Sequence, residues 1–228
     1  MPKRLSLLAI VIALLSAVSA AVAADWPAPT KGIGMMRNFP SSTGEAQEPP
    51  AFFVRSAGSI SKHGVSIAIP RALDTVLYEG ELVIVIGRRA RRVTPAEAEA
   101  CILGYTCGMD GSPTIVDSHG EGDLAGSLAG KSTDGIAPVG PRLIAKLDPA
   151  GHAITLRVNG KVVERANTKN FVWPPARIVS EISKTVTLER GDVIFCGAQQ
   201  AIPRLTPGDV VEVEIEGIGV LKNHVVAE

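Results

Sequence analysis

Glu79 and Glu81 are two carboxylates spaced i, i+2 in the stretch LYEGELVIVIG. On a strand that spacing puts both side chains on one face, in line with Val83 and Val85. Two like charges beside a core are costly unless something positive joins them. A hard divalent cation would do so. Mg2+ prefers octahedral oxygen ligands, uses few carboxylates, and keeps waters that a substrate can displace. Asp110 is the natural third ligand, because it ends the apolar strand GYTCGMD and starts a Gly-rich loop. No two histidines are spaced like zinc ligands. The rival reading is a solvated strand end, and Glu212, Glu214 and Glu216 repeat the same spacing on a wet face. What separates the two is context. After Glu81 the run Leu82–Ile86 is apolar on both faces, so this strand enters a core, with the glutamates at its mouth.

The elements around these residues are mostly strands. PAFFVR and GVSIAIP are short apolar runs bounded by breakers. Thr94-Pro95-Ala96-Glu97 is a capping box with Pro at the first helical position, and it opens a helix through about Leu103. A Gly/Ser/Asp-rich loop runs from Gly111 to about Gly130, a length usual for functional or disordered segments. Asn159-Gly160 turns a β-hairpin. PPARIVSEISKTV reads as a second helix, with Ile178, Val179, Ile182 and Val186 on its apolar face. Near the end, Val211, Val213 and Ile215 alternate with glutamates, so that strand has one wet face. SSTGEAQEPP reads as a loop or flap. No dinucleotide fingerprint, P-loop or nucleophile elbow is present.

Composition narrows the partners. Lys plus Arg and Asp plus Glu both number 23, so nothing points to nucleic acid. The one basic cluster, Arg88–Arg92, reads as a solvated connection. Lys3 and Arg4, an apolar stretch from Leu5 to about Val18, and small residues before Asp25 form the three-part pattern of a secretory signal peptide. The alternative is an uncleaved anchor helix. Cleavage after Ala23 or Ala24 makes residues 1–24 a leader, 25–50 a lead and flap, and 51–228 a single main domain. The location is then secreted or periplasmic, with no stable membrane association. Cys101, Cys107 and Cys196 are too few for a disulfide scaffold and read as buried free thiols, with a Cys101–Cys107 bridge as the alternative.

YEGELVIVIGRRARRVTPAEAEACILGYTCGMD resembles the core of the fumarylacetoacetate hydrolase family, in which E-x-E-L-x-x-V-I-G precedes a helix and G-Y-T-x-x-x-D. The resemblance continues in AGKSTDGIAPVGP, LRVNGKVVERANT, GDVIFCG and LTPGDVVEVEIEGIGVLKN. It implies a mostly β fold with some α, a mixed β-roll or sandwich of that family's C-terminal-domain type, and a homodimer. It implies a metal on Glu79, Glu81 and Asp110, namely Mg2+ with Mn2+ or Ca2+ as alternatives. It further implies C–C hydrolysis, decarboxylation or isomerisation of a small 2-oxo acid through a metal-stabilised enolate. Lys131, in GKS, matches the family's active-site lysine.

The departures are as specific as the matches. The family's N-Y-x-x-H-A-x-E flap corresponds to GMMRNFPSSTGEAQEPP, which has no His. Glu45 is the candidate stand-in for the catalytic carboxylate, with Glu48 as the other choice. The family's T-G-T-P loop is CGAQQAI, leaving Gly197 and Gln199 as substrate-binding candidates. The lysine of F-L-K-P becomes Arg55, which keeps a charge able to bind a carboxylate. His119, in the long loop, is either a substitute acid–base group or an exposed loop residue. With these groups altered, a non-catalytic 2-oxo-acid-binding protein of the cell envelope is the alternative to an enzyme.

Overall fold

The computed structural model describes residues 22–23, 26–40, 50–71, 73, 75–117, 120–122, 128–199 and 204–228. In chain order the strands are β1 (Val22–Ala23), β2 (Lys31–Met36), β3 (Ala51–Ser56), β4 (Ile60–Lys62), β5 (Ile67–Ile69), β6 (Thr75–Ile86), β7 (Ile102–Asp117) and β8 (Gly120–Gly122). They continue with β9 (Ala137–Ile144), β10 (Ala153–Val158), β11 (Lys161–Asn167), β12 (Val193–Phe195), β13 (Val210–Ile215) and β14 (Gly219–Ala227). Among the described residues, three short α-helices interrupt them: α1 (Pro95–Glu99), α2 (Leu128–Ser132) and α3 (Pro175–Ser183).

Two sheets result. The larger runs β1-β9-β7-β6-β12-β2-β3, with β4 against β9 and β8 against β7. A three-residue 3-10 helix, Ala57–Ser59, joins β3 at one end of this order to β4 at the other, so the sheet curls into a roll. The smaller sheet runs β11-β10-β13-β14-β5. It packs on one face of the central strands: a Cβ at Gly80 would lie 3.1 Å from Val213 and 3.6 Å from Leu156. Leu82 to Ile86 are fully buried, because this smaller sheet covers one face and the roll interior covers the other. The fold is a mostly β roll with some α. Among the described residues, no helix is long and apolar enough to cross a membrane.

Several elements differ in extent from the sequence reading. β6 begins at Thr75, so Glu79 and Glu81 lie in mid-strand rather than at its mouth. β7 does not stop at Asp110 but runs on to Asp117 and pairs with β8, so the first part of the expected long loop is hairpin. Cross-strand bonding over that stretch outweighs the turn propensity of Gly111, Ser112 and Pro113. The capping box forms as expected, yet α1 ends at Glu99 because Ile102 already enters β7. Lys31–Met36, in the segment read as lead and flap, is a strand between β12 and β3, with Ile33 and Met35 buried. Val22 and Ala23, within the segment read as leader, pair with β9. The hairpin turns at Asn159 and Gly160, both at positive φ. Ile178, Val179 and Ile182 are buried on α3, and all three cysteines are free and buried.

Candidate metal centre

Register alone assembles the acidic cluster. β6 and β7 pair antiparallel with Glu79 opposite Asp110 and Glu81 opposite Gly108. Directly paired residues share a face, as do i and i+2 on one strand. One ligand oxygen from each of Glu79, Glu81 and Asp110 therefore lies within 4.8 Å of the others. Glu81 and Asp110 are 1% and 2% exposed, and Glu79 is half-buried. Gly108 keeps the neighbourhood open: a Cβ there would fall 2.3 Å from Val83 Cγ2 and 2.8 Å from Phe195 Cε1.

Two cations meet this cluster from other elements. Lys131, on α2, donates from Nζ to Asp110 Oδ1 and Oδ2 at 3.0 and 3.2 Å and to Ser112 Oγ at 2.6 Å. Its ammonium also lies 4.3 Å from the centre of the Phe53 ring, a cation–π contact. Arg55, on β3, is fully buried and pairs through Nη2 with Asp110 Oδ1. The same guanidinium donates to the carbonyls of Gly111 at 2.8 Å and Lys131 at 3.1 Å. It lies 5.6 Å from each of the Phe53 and Phe195 rings. From the loop just after β12, the Gly197 N–H donates to Glu81 Oε2. Gly197 has φ +90°, and a Cβ there would press on Asn38 Cβ at 3.0 Å and the Met35 carbonyl at 3.1 Å.

Burial makes the charges expensive, and the protonation equilibria show it. Burial, then the neighbouring Glu79 charge, pushes the Glu81 carboxyl up to about 8, against the Gly197 N–H, Lys131 and Arg55. Glu79 is raised by burial and pulled back by Lys131 and Arg55. Burial lowers the Arg55 guanidinium to about 10 despite the acidic groups nearby. The Cys196 thiol is raised well above its ordinary value by burial and by Glu81, so it stays neutral. A divalent cation among three carboxylates would relieve the burden on both glutamates, and their hard oxygens suit Mg2+, Mn2+ or Ca2+.

The expected residues separate into three groups. Glu79, Glu81, Asp110 and Lys131 come together. Arg55 and Gly197 are also present, but with other partners than expected. Arg55 was expected to bind substrate, yet it is sealed inside the roll against Asp110 and two carbonyls. Gly197 was expected to bind substrate; its N–H donates to Glu81 Oε2. Gln199 follows and is exposed. Glu45, Glu48 and His119 lie outside the described residues, as do residues 1–21 and 24 of the segment read as a leader.

Sequence reasoning did not single out Ser112, Phe53, Phe195 or Asn38. Buried Asn38 donates to the Cys196 and Trp173 carbonyls at 2.8 and 3.2 Å and accepts from Trp173 N at 2.7 Å. It thereby fixes the segment that presents Gly197. The only available signal was position, since Phe53 precedes Arg55 by two and Ser112 follows Asp110 by two.

A family model described as fumarylacetoacetate (FAA) hydrolase C-terminal matches residues 22–226. The chain belongs to the fumarylacetoacetate hydrolase family. It is 34% identical over 184 residues to a 4-hydroxyphenylacetate degradation bifunctional isomerase/decarboxylase from Salmonella dublin, across 78% of this chain and 42% of that protein. The solved 5-carboxymethyl-2-hydroxymuconate delta-isomerase from Mycobacterium smegmatis is similar with TM-score 0.78 and 33% identity, over 88% of this chain and 80% of that one. Maleylpyruvate hydrolase from Sphingobium sp. SYK-6, solved with manganese(II) and pyruvate, is similar with TM-score 0.74 and 26% identity, over 88% of this chain and 72% of that one. This fumarylacetoacetate hydrolase family member thus has isomerase, decarboxylase and hydrolase relatives.

Proposed function

We propose that the protein is a divalent-metal-dependent enzyme acting on a small 2-oxo acid, by C–C hydrolysis, decarboxylation or isomerisation. The observation that carries this reading is the clustering of Glu79, Glu81 and Asp110 oxygens within 4.8 Å, on two paired central strands. Manganese and pyruvate in the Sphingobium relative support it. Glu79, Glu81 and Asp110 would hold the ion, with Mg2+ or Mn2+ suited to the oxygen donors and Ca2+ as the alternative. When bound, the ion supplies Lewis acidity toward the 2-oxo-carboxylate.

The chain's own residues do the rest. Asp110, Ser112 and the Phe53 ring fix the Lys131 ammonium beside the acidic cluster, where it stabilises negative charge developing on substrate oxygen. The Gly197 N–H fixes the Glu81 carboxylate in position. The segment from Gly34 to Pro50 contains no His to activate water. Decarboxylation or tautomerisation therefore asks less of this chain than hydrolysis. The reading includes export, motivated by the basic start and apolar stretch of residues 3–18, and a homodimer, as the family resemblance implies.

The test is turnover of oxaloacetate and of an acylpyruvate by metal-stripped protein with Mg2+ or Mn2+ restored. Activity should return with the metal and fall on the order of 10²-fold or more in Glu81→Gln. Equal rates in the two proteins would remove the metal role. The missing flap His also motivates a second reading, a binding protein that chelates a 2-oxo acid without turning it over. Calorimetric binding with no turnover across a 2-oxo-acid panel would favour that one.

A further inference from the structure

We infer that Arg55 is a built-in competitor of the metal ion, a fixed cation that sets how tightly the acidic cluster binds it. The inference rests on the metal reading above and concerns a residue expected to bind substrate. Asp110 Oδ1 accepts from Lys131 Nζ and is ion-paired with Arg55 Nη2, and Oδ2 accepts from Lys131 as well. Two cationic groups therefore crowd the Asp110 carboxylate. An arriving cation must compete for Asp110 with two positive charges already beside it.

Lys131 sits on a helix of five residues and retains some exposure. Arg55 has no such freedom. It is fully buried, flanked by two aromatic rings, and tied to the Gly111 and Lys131 carbonyls. Its Nε finds no acceptor among the described residues. The guanidinium is thus held for the Asp110 side of the cluster at the cost of one unsatisfied donor. It does two opposing things: it offsets the repulsion of three clustered carboxylates, and it lowers the gain when an ion arrives.

The experiment is calorimetric titration of Mn2+ into the metal-stripped full chain at pH 8, with thermal melts in chelator, for wild type, Arg55→Gln and Arg55→Lys. Gln keeps an amide that can reach a carbonyl but carries no charge, whereas Lys keeps the charge and loses the fork. Arg55→Gln should melt lower in chelator yet bind Mn2+ at least about tenfold more tightly. Arg55→Lys should stay within about threefold of wild type, because charge does the competing. A merely structural Arg55 would make both variants bind more weakly, and unchanged or weaker binding by folded Arg55→Gln overturns the inference. If Arg55→Gln is unfolded in chelator, Mn2+ must restore the wild-type circular dichroism spectrum; failure to do so also overturns it. Wild type that binds no Mn2+ removes the metal reading itself, an outcome distinct from equal affinities.

Discussion

Glu81 shows how one buried carboxylate can favour assembly of a site and oppose folding at once. Its folded carboxyl is pushed up to about 8 from an ordinary 4.5. Between those values the folded protein keeps a proton that the unfolded chain has released. Stability of the metal-free protein should then fall as pH rises from about 4.5 to about 8, by up to ~1.4 kcal/mol per pH unit. Glu79, also raised, acts in the same direction. Urea midpoints in chelator at pH 5, 6.5 and 8 measure this slope. Glu81→Gln should flatten it, and a slope of opposite sign would mean that another group dominates. The same residue was legible in the sequence, through its spacing from Glu79 and the apolar run beyond it. Arg55 was legible only as a charge. Its burial depends on β3 lying across the roll from Asp110, which no local pattern encodes.

At the scale of elements, the strands that sequence reasoning identified are present, and two misjudged boundaries fall at the site. β6 reads as starting near Glu81 because buried carboxylates break the apolar pattern of its first half. β7 reads as ending at Asp110 because Gly111, Ser112 and Pro113 carry turn propensity. Ladder bonds to β6, which continue as far as Thr75 opposite Thr114, override both signals. The hairpin at Asn159-Gly160 and the capping box at Thr94 were legible because their bonds are local. These two kinds of element should respond differently to change. Gly108→Ala drives a methyl group against Val83 and the Phe195 ring, an overpacking worth ~1–3 kcal/mol. Because Gly108 pairs with Glu81, it should also weaken Mn2+ binding. Thr94→Ala removes the cap of α1 for ~1 kcal/mol, and Mn2+ affinity should not move. Urea unfolding paired with Mn2+ calorimetry on both variants checks this, and equal effects on metal binding would deny the link between the β6–β7 register and the site.

For the whole molecule, the position of the cluster matters more than its composition. Glu79, Glu81 and Asp110 lie on the two strands at the middle of the larger sheet, whose opposite face carries the smaller sheet through Gly80, Leu156 and Val213. The cations come from β3 and α2, elements far from β6 in sequence that meet the cluster across the curled sheet. A metal bound here is therefore bound by the folded state and not by any local segment of the unfolded chain. Linkage then ties metal binding to global stability. At a free Mn2+ concentration of one hundred times Kd, the gain is about 2.7 kcal/mol. For a chain of this size, that corresponds to a rise in Tm of roughly 5–10 °C. Scanning calorimetry should show a single transition that shifts upward with Mn2+ and returns on chelation. In Glu81→Gln the shift should largely vanish, since one of three ligands is lost from a site with no acidic substitute among the described residues. A second transition, with only one of the two insensitive to metal, would instead mean that the smaller sheet unfolds independently of the roll.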